Sequence, residues 1–141
     1  MALRIHRVQV WSGEIPDKPG AAAATLACLS RAGADLEYLM TRPHPSKPDG
    51  AVLFLAPVQG EQQTEAARAA GLAPAHDVAM LCVESENRPG IGAQIMGSLA
   101  VAGINLRGIS ISSVANRMAA YLAFDNEDSA RLAVQVLATL T

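Results

Sequence analysis

Two tetrapeptides carry the residues best suited to chemistry. Asn87-Arg88-Pro89-Gly90 and Asp17-Lys18-Pro19-Gly20 share the order Asx, cation, Pro, Gly, and each stands directly before a helix-like stretch. The first amides of a helix have no backbone partners, and with the helix dipole they favour an anion. Glycine at that point lets a ligand come close to the main chain. Asn87, and further on Asn105, present both a donor and an acceptor, so either sign of charge can be met. The other loop has Asp17 and Asp35 at those places, and ionised carboxylates only accept, so it favours a cation. A plainer reading competes, since Asn is among the best N-cap residues and Asn87 then merely starts a helix. Lys18 and Arg88 read first as solvated loop charges.

The two loops belong to an internal repeat. From Gly20 to Gly90 the offset is 70 residues, and the same offset matches His6 with His76, Val8 with Val78 and Glu14 with Glu84. It goes on to match Leu29 with Leu99, Ala32-Gly33 with Ala102-Gly103, Leu36 with Leu106 and Phe54 with Phe124. The chain therefore reads as two copies of one small unit, residues 1–71 and 72–141. A unit of about 70 residues has little interior of its own, and burial against a partner is the usual remedy.

Each copy predicts the order strand, helix, strand, strand, helix. First strands run Val8–Glu14 and Val78–Ser85, the latter apolar on both faces like a central strand. Helices follow at Ala21–Arg31 and Ile91–Ala102, where Ile91, Ile95, Leu99 and Ala102 make one stripe. Gly33 and Gly103 stand where a left-handed residue closes a helix. Second strands are expected at 36–41 and 106–114, and Ile109-Ser110-Ile111-Ser112 alternates as if one face were buried. Third strands run Val52–Ala56 and Ala119–Phe124, and the last helices about Glu61–Ala70 and Glu127–Leu140. This is the α+β, ferredoxin-like order without its closing strand, with antiparallel sheets and helices on one face. The second copy has no room for that strand. Residues 2–5 and 72–75 fill the gap if they are exchanged, 2–5 closing the second sheet and 72–75 the first. Two long strands, about 2–14 and 72–85, then run antiparallel, and Pro74 must leave one rung empty or face outward.

Composition narrows the function. Half the residues are hydrophobic and 17% are charged, as in a well-buried globular protein. A net charge of −2 and only five aromatic residues argue against a nucleic-acid partner. No apolar run approaches the roughly 20 residues that span a bilayer, so no membrane role and a cytoplasmic setting are expected. Cys28 and Cys82 fall opposite Ser98 and Ser12, which suggests neither a metal site nor a disulfide frame. His6 and His76 read as repeat ancestry and packing, and Trp11 as core or interface. No spacing supports a Ser/His/Asp or Cys/His centre. The expectation is a protein with no catalytic residues, no metal and no cofactor.

A resemblance sharpens this. Glu86-Asn87-Arg88-Pro89-Gly90 followed by Ala102-Gly103-Ile104-Asn105-Leu106 resembles the signature of ACT domains, small regulatory modules that bind amino acids. It is most similar to the serine-sensing ACT domain of phosphoglycerate dehydrogenase, and both copies share the likeness. The resemblance implies an effector held where two ACT units meet, against the loop before the first helix and the start of the second strand. It places ligand contacts at Asn87 and Asn105, and a ligand-touching histidine where this chain has Ser85. The implied site is Ser85, Asn87, Arg88, Pro89, Gly90, Ile91 and Asn105. A second, altered site would comprise Asp17, Lys18, Pro19, Gly20 and Asp35, with Ile15 opposite Ser85. The expected function is binding of a small amino acid in a regulatory or sensing role. The alternative is an interaction module with vestigial pockets that docks a partner enzyme, and a homodimer is the other partner to be tested.

Overall fold

The computed structural model describes residues 2–140. Its elements are β1 (Arg4–Val8), β2 (Trp11–Pro16), α1 (Ala21–Arg31), β3 (Tyr38–Pro43), β4 (Gly50–Ala56) and α2 (Gly60–Ala69), followed by β5 (Ala73–Pro74), β6 (Ala79–Glu86), α3 (Ile91–Val101), β7 (Gly108–Val114), β8 (Arg117–Phe124) and α4 (Glu127–Leu137). Two antiparallel four-stranded sheets form, with strand orders β1-β6-β8-β7 and β3-β4-β2-β5. The closing strands are exchanged as expected, but the register is shifted by three residues: Arg4–Val8 rather than residues 2–5 closes the second sheet, and Ala73 rather than His76 faces Ser12. β1 pairs with β6, Arg4 opposite Glu84 through Val8 opposite Met80, and β5 pairs with β2, Ala73 opposite Ser12 and Pro74 opposite Trp11. Pro74 lies on an edge strand, where a missing N–H costs no interior rung.

Two compact units result. The N-unit is Gln9–Ala75, and the C-unit combines the described residues up to Val8 with those from His76 onward. The C-unit core joins Leu81 and Val83 of β6, Leu122 and Phe124 of β8, Ile95 and Leu99 of α3, and Leu137 of α4, with Leu3 and Ile5 packed against it. The N-unit core is smaller, built on Trp11, Leu29, Leu53, Leu55, Ala67 and Leu72. Trp11 is a core residue, and the Arg68 guanidinium lies 5.4 Å from its ring centroid. No helix among the described residues is long and apolar enough to cross a membrane.

Three other expectations need correction. The offset of 70 does not survive into the third strands. Leu55 pairs with Trp11 and Leu122 with Leu81, so from Leu55 to Leu122 the offset is 67. The first copy's hairpin is three residues longer, and Phe54 corresponds to Tyr121 rather than to Phe124. The second correction concerns β7. It is an edge strand, exposed along its length, and Ile109 and Ile111 remain 41% and 39% exposed although they lie on the core side. Finally, the long first strands are broken, Val8 and Trp11 belonging to different sheets.

The longer hairpin of the N-unit is pinned by Glu14. Its carboxylate lies 2.6 Å from His44 Nε2 and 2.9 Å from Lys47 Nζ. Hydrogen bonding and charge from Lys47, then His44, hold the Glu14 carboxyl below its ordinary value of 4.5. Because the folded value is the lower one, this contact is intact above 4.5 and is lost as pH falls through the folded value. The group is exposed, so the effect is local and screened by salt. Glu14→Gln at neutral pH is expected to loosen residues 44–49 as acid does, seen as faster amide exchange at His44 and Gly50. Unchanged exchange would show that the backbone bonds of those two residues, to Gly50 O and Lys47 O, hold the hairpin alone.

Candidate functional site

Helices α1 and α3 open in the same unusual way. Their N-caps are Gly20 and Gly90, both left-handed with φ of 87° and 85°, and neither has a side-chain cap. Helix α4 shows the ordinary alternative, with Asn126 Oδ1 accepting from Ser129 N at 2.8 Å. Asn87 is thus not the helix cap, and its own N–H donates to Asn116 O at 2.8 Å. At α3 the Ile91 amide reaches Arg88 O and the Gln94 amide reaches Gly90 O. The amides of Gly92 and Ala93 donate to nothing among the described residues. Arg88 donates to Gln94 Oε1, which lays its guanidinium along the first turn and adds positive charge beside the two open amides.

The expected site residues separate into three groups. Asn87, Pro89 and Gly90 are exposed on the loop, and the Asn87 side chain makes no hydrogen bond among the described residues. Ser85 and Ile91 turn inward. Ser85 is buried, opposite Met118, and its Oγ donates to Glu86 O at 2.9 Å. Asn105 is exposed but lies elsewhere. Its neighbour Arg107 donates from the backbone to Ala123 O, at the end of β8, whereas Asn87 sits beside Asn116, just before β8 begins. Six residues of strand separate Arg117 from Ala123, about 20 Å at 3.3 Å per residue. No amino acid spans that distance, so within the C-unit Asn87 and Asn105 do not share one small ligand. Asp17 and Asp35 are separated in the same manner, beside Asp49 O and near Ala56 O respectively. The sequence places both pairs on loops flanking a helix, and the helix holds its two ends apart.

No known family profile and no curated protein matches the chain. Solved structures do. A Bacteroides thetaiotaomicron protein superposes with a TM-score of 0.76 at 16% identity, covering 94% of this chain and 88% of that one. The ligand-free regulatory subunit of aspartate kinase from Thermus thermophilus gives 0.67 at 16%, covering 99% and 98%. Aspartokinase III of E. coli in complex with lysine and aspartate gives 0.53 at 13%, covering 96% of this chain and 32% of that one. The fold is a tandem ACT fold. At these identities the likeness carries architecture, and nothing in it bears on the finer resemblance to the serine-sensing domain.

Within the tandem ACT fold the two helix openings differ chemically. Beside α1 stand the exposed Asp17 carboxylate and Lys18, and Ala24 replaces the Gln94 that holds Arg88 beside α3. A fixed carboxylate at a helix N-terminus occupies the field that a ligand anion would use.

Glycine substitutions test the local geometry with opposite signs. A Cβ on Gly90 or Gly20 meets no atom within 4 Å, so only the left-handed backbone opposes a side chain there. Gly90→Ala is expected to cost about 1–2 kcal/mol. Gly97 is exposed in the interior of α3, also with open space around its Cβ, and Gly97→Ala should stabilise by about 0.5–1 kcal/mol. Urea melts of the two variants check both, and a stabilised Gly90→Ala protein would contradict the assigned helix opening.

Proposed function

We propose that this chain is a non-catalytic regulatory protein of the cytoplasm which binds a small amino acid at the opening of α3. One observation carries the reading: the uncapped start of α3, with two open amides, Arg88 alongside and an unengaged Asn87 at the rim. The ligand carboxylate meets the amides of Gly92 and Ala93, strengthened by the helix dipole and the guanidinium. The Asn87 carbonyl oxygen accepts from the ammonium, and Gly90 leaves room for the ligand backbone. Ser85 and Ile91 support this loop from below rather than touching the ligand, and Asn105 forms a separate patch. The names of the structural neighbours, a regulatory subunit and an aspartokinase bound to lysine, favour a regulatory role for residues 1–71 and 72–141 as duplicated copies.

The second reading rests on β7. An edge strand with Ile109, Ile111 and Val114 exposed offers backbone and apolar groups to a partner enzyme or a second copy. Calorimetric titration of the full chain with each of the twenty amino acids separates the two. Heat with one amino acid, at a single strong site per chain, supports the sensor. No heat and no thermal shift with any of the twenty rejects it in favour of the docking module, because a ligand at 100 times its Kd adds about 2.7 kcal/mol to native stability.

A further inference from the structure

The exchanged strand creates a second grouping of chemically capable side chains. In the β1–β6 ladder His6 stands directly opposite Cys82, and Arg4 opposite Glu84. Side chains two residues apart on a strand share a face, so Cys82, Glu84 and His6 all project from the same side of the sheet. That side is opposite the core, which takes Leu81, Val83 and Ser85. The ligand atoms of His6, Cys82 and Glu84 all lie within 4.8 Å of one another.

We propose that His6, Cys82 and Glu84 form a zinc-binding site. The donor set decides the metal. A thiolate, an imidazole and a carboxylate together suit a borderline-soft cation, whereas calcium and magnesium ask for oxygen alone. Tetrahedral zinc with bonds of about 2.0–2.3 Å spaces its ligand atoms roughly 3.5 Å apart, so small rotamer changes close this group on an ion. Three protein ligands leave a fourth position open for water. Burial is graded to match. Cys82 is only 3% exposed, Glu84 is half-buried and His6 is exposed, so the sulfur forms the floor and the imidazole closes the site from solvent. Arg4 Nη2 lies 3.9 Å from Glu84 Oε2 and is largely solvent-exposed, too loose a pairing to hold the carboxylate against a cation.

The site is confined to the C-unit. In the N-unit Ser12 stands where Cys82 does and faces Ala73, so that sheet offers neither the sulfur nor the imidazole, and Glu14 is engaged by His44 and Lys47. Ordinary sequence motifs hide such a site, because His6 reaches Cys82 only through the strand exchange. Bound zinc would tie the exchanged strand to the central strand of its sheet. This face of the sheet is not the one that supports the opening of α3, so the inference stands whether or not an amino acid binds there.

The test is titration of the reduced full chain with Co²⁺ and then Zn²⁺, followed by absorption. One equivalent of Co²⁺ is expected to give a thiolate-to-cobalt charge-transfer band and tetrahedral ligand-field bands, both bleached by Zn²⁺. Affinity should rise with pH, since binding releases the thiol proton. Cys82→Ser should abolish the charge-transfer band, and His6→Gln and Glu84→Gln should each weaken Zn²⁺ binding at least tenfold. Cys28→Ser should leave binding unchanged. His6 is exposed, so His6→Gln keeps the test decisive even if Cys82→Ser disturbs the fold. Absence of a sulfur-to-cobalt band in the wild-type chain, its survival in Cys82→Ser, or its loss in Cys28→Ser would each overturn the proposal, as would unaltered affinity in His6→Gln.

Discussion

Deletion of Ala2–His6 is expected to unfold the C-unit while the N-unit stays folded. The deleted segment is distant in sequence from the copy it should damage, which makes the result diagnostic. Removing it leaves the apolar β6, now a sheet edge, without most of the partners that run from Arg4 opposite Glu84 to Val8 opposite Met80. It also removes Leu3 and Ile5 from the core surface. Full burial of a large aliphatic side chain is worth about 1.5–3 kcal/mol, so two half-buried ones contribute roughly 2 kcal/mol. Each ladder hydrogen bond lost adds about 1 kcal/mol net. The remaining anchor, Arg7 to Met80 O and Glu127, loses the strand that positions it. The total, about 4 kcal/mol or more, is most of what a domain this small possesses. Trp11 is the single tryptophan and lies in the N-unit core, so its fluorescence reports that unit alone, while amide exchange at Leu81 and Leu122 in the β6–β8 ladder reports the other. Equal loss of both signals, or of neither, would contradict the exchange.

The exchange was legible in the sequence because it follows from counting. Residues 72–75 lead from the last helix of the first copy into the first strand of the second, and the repeat places their counterparts just ahead of Val8, three residues from the register found. Periodicity also located α1 and α3 well, since Leu29, Ile95 and Leu99 sit on single apolar stripes and Gly33 and Gly103 end the helices in left-handed geometry. What the sequence obscured depends on three-dimensional neighbours. Phe54 and Phe124 matched by coincidence, because a three-residue difference in hairpin length shifts the register without altering the apolar character of the strands. Ile109 and Ile111 alternate like a buried face, but alternation says nothing about whether the strand lies at an edge. The resemblance names Asn87 and Asn105 together, but within one unit the 11-residue helix between them, about 16 Å long, keeps them apart. Cys82 read as isolated for the converse reason. Its neighbours on the sheet come from the far end of the chain.

Asn87→Asp is expected to abolish amino-acid binding at α3, more completely than Asn87→Ala. Loss of a hydrogen bond to a charged ligand group costs about 1.5–3 kcal/mol, a weakening of roughly tenfold or more, and this is all that the alanine variant should show. The aspartate retains acceptors for the ammonium but places a negative charge within a few ångströms of the ligand carboxylate. At 4 Å and the effective dielectric of a protein surface that repulsion is worth up to about 4 kcal/mol, and about 1 kcal/mol if water screens it fully. It also competes with the ligand for the field of the helix N-terminus. The N-unit already has this arrangement, with Asp17 beside the uncapped start of α1. The reciprocal variant, Asp17→Asn, should therefore raise a weak or absent second site towards that of the C-unit, so that calorimetry records two sites per chain instead of one. The lysine-for-arginine difference at Lys18 limits the gain, because an ammonium cannot make the planar two-pronged contact with a carboxylate that a guanidinium makes. Equal affinities for Asn87→Asp and the wild-type chain would remove the carboxylate from the opening of α3, and with it the reason for assigning an amino acid to this loop.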